Sequence, residues 1–61
     1  MDGITAFPAR YRKNIRTLSN RLCTDAETAY AMMLMTALLM DMRPEDDEVV
    51  EIILKDCGVE V

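Results

Sequence analysis

TDAETAYAMMLMTALLMDM, residues 24–42, decides the fold of this chain. Thr28 to Met40 is a run of thirteen residues without a charge, rich in Met, Leu and Ala, in a protein of only 61 residues. Such a segment has to be buried, and what buries it shapes everything else. Thr24 followed three residues later by Glu27 has the form of a capping box, which predicts a helix start at this point, with Asp25 and Glu27 adding negative charge to the first turn. Pro44 disfavours helical geometry at Arg43 and ends the run near residues 41–43. The expected central helix therefore covers about residues 25–42.

Placed on a helical wheel, this segment has two apolar faces. Ala26, Ala29, Tyr30, Met33, Ala37 and Met40 share one side, and Thr28, Ala31, Met32, Met35, Leu38, Leu39 and Met42 share the other. Glu27 and Asp41, with Leu34 between them, leave a thin polar strip. Two short helices from the same chain cannot cover a helix that is apolar nearly all round, so the expected cover is a second chain. Tyr30, Met32, Met33, Met35, Leu38 and Leu39 are the candidate dimer core. The methionines allow two readings, flexible core filler or an adaptable groove for partner helices. The uncharged run falls short of the roughly 18–20 residues that span a bilayer and acids bound it on both sides, so no membrane span is expected.

On the N-terminal side, Pro8 suits the first position of a helix over about 8–23, in which Tyr11, Ile15, Leu18 and Leu22 form a narrow apolar stripe. Phe7 is placed to pack on Tyr11, and residues 1–6 read as a frayed arm. The rest of this first helix is basic, through Arg10, Arg12, Lys13, Arg16 and Arg21. On the C-terminal side, PEDDEVVEIILKDC reads as a third helix over about 44–57. It has acids in its first turn, Val49, Val50, Ile53, Leu54 and Cys57 on one face, and Gly58 as its cap before a short tail over 58–61. The β-branched centre VVEII also suits a strand, but a strand without a partner does not persist. The expected fold is thus all-α, a single domain over 1–61 made of a three-helix protomer, paired as a helical homodimer.

Charge is divided unevenly along the chain. Residues 1–23 hold five basic groups and one acid, whereas residues 24–61 hold two basic groups and ten acids, for a net charge of −4. Arg10, Arg12, Lys13, Arg16 and Arg21 are the candidate partner-binding residues, with three readings open: a solvated face balanced by the acidic third helix, a dock for an acidic protein, or a nucleic-acid contact. A helix-turn-helix protein would place its basic recognition helix second, and ITAF before Pro8 is short for a DNA-reading ribbon.

Catalysis has little to work with. The chain has no histidine, its one serine, Ser19, has no base in its local pattern, and no Gly-rich loop offers a phosphate cradle. Glu45, Asp46, Asp47 and Glu48 lack the spacing and turn glycine of a calcium loop and are explained by a helix N-terminus. Cys23 and Cys57 do not make a zinc site and are expected as buried or half-buried free thiols in a reducing cytosol. No charged segment followed by an apolar one opens the chain, and Cys57 lies one position early for a prenylation box, so a cytoplasmic protein without cofactors, metal or enzymatic activity is expected.

In size, helical content and charge the chain resembles the small early accessory proteins of temperate, lambdoid bacteriophages. The resemblance is one of type over the whole length and assigns no residue a role. It implies a compact helical product that binds a host or phage regulator. The function expected from the sequence is a non-catalytic protein-interaction module of this regulatory kind. The alternative is a small DNA-binding or transcription-modulating factor that uses the basic first helix.

Overall fold

The computed structural model describes residues 4–59. Within them the chain is all-helical. A single 3-10 turn, Ile4–Ala6, leads into α1, Ala9–Leu22, then α2, Ala26–Met40, and α3, Asp47–Asp56, with each long helix packed against the other two. The core is formed by Ile15 and Leu18 of α1, Ala29, Met33 and Ala37 of α2, and Val49, Val50, Ile53 and Leu54 of α3, with Ile4 closing one end. VVEII is helical, and no strand occurs among the described residues.

The apolar stripe of α1 lies on this core, with Ile15 and Leu18 fully buried and Tyr11 and Leu22 half-buried. Phe7 meets Tyr30 rather than Tyr11. Its ring centroid is 5.0 Å from that of Tyr30, and Tyr11 approaches the same ring at 5.5 Å, so Tyr30 joins the two aromatic side chains of the N-terminal segment to α2. The expected frayed arm is tied down over its described part. Ile4 is buried, and Arg12 spans back to donate from Nε to the Phe7 carbonyl (2.9 Å) and from Nη2 to the Thr5 carbonyl (3.2 Å). Residues 1–3 of that arm, and 60 and 61 of the tail, lie outside the described residues.

All three helices end in the same way. Cys23, Asp41 and Gly58 adopt left-handed backbone with φ of 53°, 55° and 77°. The next N–H then reaches back five residues, Thr24 to Ser19 (3.0 Å), Met42 to Ala37 (2.8 Å) and Val59 to Leu54 (2.8 Å), closing carbonyls that a helix end leaves unpaired. Met42 and Val59 turn inward onto the core as they do so. Gly58 takes this conformation without steric penalty, whereas Cys23 and Asp41 carry a Cβ into it.

This ending corrects the expected start of α2. Thr24 is already used by the closure of α1, so the cap falls one residue later, on Asp25, whose extended backbone (φ −81°, ψ 167°) lets Oδ1 accept the Thr28 N–H at 2.8 Å. The Thr24–Glu27 capping box does not form. Thr28, through its side chain first and its backbone N–H second, holds the Asp25 carboxyl below its ordinary value of 3.8. Because the folded value is the lower one, this stabilisation is complete above the ordinary aspartate value and disappears as pH falls through the folded value. Asp25→Ala should therefore lower the melting midpoint by several degrees at neutral pH, with the difference from wild type vanishing in strong acid. Thr24→Ala should change it little, and thermal melts of the two variants at both pH values check the assignment.

The start of α3 is also later than expected. Pro44 and Glu45 form the centre of a turn closed by Asp46 N–H to the Arg43 carbonyl (3.0 Å), and the Asp46 carboxylate accepts the Arg43 N–H (3.4 Å) instead of capping the helix. The turn is pinned from the side by Asn14. That residue is 4% exposed although the sequence places it on the polar face of α1, and its Nδ2 donates to the carbonyls of Glu45 (3.0 Å) and Asp46 (3.3 Å). One side-chain amide thus holds α1 to the connection between α2 and α3.

Candidate interaction surface

In a three-helix packing each helix has both neighbours on one half of its circumference, so its outer half receives no cover from its own chain. For α1 that outer half is basic and for α3 it is acidic, which suits water. For α2 it is apolar. Leu38 and Leu39 are 83% and 81% exposed, Met35 64%, Met40 53% and Leu34 40%, with Ala31 and Thr28 continuing the surface toward the N-terminal end. No charge interrupts α2 between Glu27 and Asp41. Beside this face a groove of about 190 Å³ runs between α2 and α3, lined by Met32, Met35, Thr36, Leu39, Ile53 and Cys57, with Asp56 at its edge.

The six candidate dimer-core residues separate into two groups. Met35, Leu38 and Leu39 stand on the outer face, and half-buried Met32 borders the groove. Met33 is different: it is 0% exposed at the centre of the protomer, and Tyr30 is occupied by Phe7 and Tyr11. Neither is placed to form a second interface, because the alanine-rich side of α2 lets α1 and α3 approach closely and is consumed by them. Two methionines leave their groups on the helical wheel: Met40, grouped with Ala29, Met33 and Ala37, is exposed at the last turn, and Met42, grouped with Met35, Leu38 and Leu39, folds back onto the core after Asp41.

The basic side chains of α1 are engaged within the protomer. Arg12 is half-buried in its contacts with Thr5 and Phe7, and Arg10 lies over the Tyr11 ring (4.6 Å) and donates to its hydroxyl (3.1 Å). Lys13 meets Asp47 at 3.5 Å with both side chains largely in water, a pairing that contributes little to stability. Arg16 and Arg21 also have interactions within the chain. Of the five, Arg12 is half-buried and Arg10, Lys13, Arg16 and Arg21 are exposed.

Cys23 and Cys57 are free but exposed, not buried or half-buried as expected, and each sits at the C-terminal end of its helix. Among the described residues no three acidic or cysteine side chains converge as a metal site, and no helix is long and apolar enough to cross a membrane. No protein-family model, curated protein or solved structure matches the chain. The described residues thus form a small all-α, three-helix fold in which the outer, apolar face of α2 is left uncovered by the other described residues.

Proposed function

We propose that this protein is a non-catalytic interaction module, that the outer face of α2 is its contact surface, and that a second copy of the chain covers that face. The exposure of Leu38, Leu39 and Met35 on one uncharged helix carries this reading. Covering these three on both copies contributes on the order of 10 kcal/mol, at about 1.5–3 kcal/mol for each fully buried side chain. Association itself costs about 4–15 kcal/mol, so the three residues alone come close to balance and Leu34, Met40 and the adjoining groove make pairing favourable. Arg12, half-buried and held to the Thr5 and Phe7 carbonyls, is withdrawn from the basic face of α1, whereas no charge or hydrogen bond occupies Met35, Leu38 and Leu39 on the outer face of α2. The paired form is the unit that would act on a host or phage regulator, in keeping with the resemblance to small phage accessory proteins.

Sedimentation tests the proposal. The wild type at tens of micromolar should have close to twice the protomer mass of 6.9 kDa. Leu38→Asp should sediment as a protomer with unchanged helical circular dichroism, because the substitution puts charge on a face already exposed in the isolated chain. A wild type that remains a protomer throughout this range overturns the proposal, as does a Leu38→Asp variant that still pairs.

A further inference from the structure

We infer that the two copies pair antiparallel through α2, with the two-fold axis beside Met35; this rests on the self-pairing proposed above. Thr28, Ala31, Met35 and Leu38 follow one another in steps of three, four and three residues, the spacing of a seam between two helices crossing at a shallow angle. The seam tapers. Its N-terminal half presents small Thr28 and Ala31, while its C-terminal half presents bulky Leu38 and Leu39, the two most exposed large apolar side chains of the described residues.

Parallel pairing would set Thr28 and Ala31 against their own copies, leaving a gap, and would crowd Leu38 and Leu39 against theirs. Antiparallel pairing sets small against large, with Ala31 facing Leu38 and Leu39 of the other copy and Met35 facing Met35. Opposed helix dipoles favour the same direction.

Disulfide trapping in a Cys23→Ser, Cys57→Ser background reads the direction, because a bond forms only where two Cβ atoms lie about 3.5–4.5 Å apart. Mild oxidation should convert Met35→Cys largely to a covalent pair. Ala31→Cys alone and Leu39→Cys alone should stay uncrosslinked, and mixing those two variants should give the mixed disulfide. Ala31→Cys crosslinking with itself would establish parallel pairing and overturn this inference while leaving self-association intact. A pair seen in sedimentation without a Met35→Cys disulfide would overturn the proposed axis. Background protein that sediments as a protomer would overturn the pairing itself, a result separable from either of the others.

Discussion

Asn14→Asp should leave the chain largely unfolded at neutral pH. The native amide donates to two carbonyl oxygens, those of Glu45 and Asp46, from a site that is 4% exposed. An ionised carboxylate at that position has no proton to donate and turns negative charge toward both acceptors. Even the neutral loss in Asn14→Ala takes from the Glu45 carbonyl of this half-buried turn its Asn14 donor, at about 1–3 kcal/mol for an unsatisfied group, while the Asp46 carbonyl keeps the Val49 N–H at 3.1 Å. Total stability for a chain of this length is roughly 3–9 kcal/mol at about 0.05–0.15 kcal/mol per residue, so the aspartate variant removes most of it. Urea unfolding followed by circular dichroism should show a strongly reduced midpoint for Asn14→Ala and no folded baseline for Asn14→Asp at pH 7. A wild-type midpoint in either variant would show that the connection before α3 holds its shape without α1.

The second large effect is a contrast between two residues of one helix. Met33→Ala should destabilise the protomer by about 2–5 kcal/mol, because Met33 is fully buried between α1 and α3 and its truncation leaves a cavity. Leu38→Ala removes the same number of heavy atoms, three, from a side chain that is 83% exposed and should change protomer stability by less than about 0.5 kcal/mol. Denaturant titrations at submicromolar concentration, where the single chain is measured, check this contrast. At high concentration the order should narrow, since Leu38→Ala then loses the stabilisation that pairing supplies. Equal effects of the two substitutions at low concentration would mean that the inner and outer faces of α2 are wrongly assigned.

The three helices and their approximate extents were legible because each carries its own local signal. The stripe Tyr11, Ile15, Leu18 and Leu22 has helical spacing, Pro44 interrupts the long apolar run, and acids precede VVEII at a helix start. Local signals were less informative at the boundaries. Thr24 and Asp25 are both good caps, and the choice between them depended on whether Thr24 was needed to close α1. Asn14 was missed because its partners are backbone carbonyls more than thirty residues away, which no local pattern reveals. A polar residue one position from Ile15 in the middle of an amphipathic helix was the available hint.

What the sequence determined by itself was the composition of α2: a helix with two apolar faces and no charge between Glu27 and Asp41, in a chain too short to cover both. Only the tertiary structure decided which face goes inside. The side with Ala29, Met33 and Ala37 is buried because small residues on either side of a single methionine let α1 and α3 approach closely. The face with Met35, Leu38 and Leu39 is bulkier, and packing it inward would hold the helices apart, so it was left outward, the surface on which the proposed association rests.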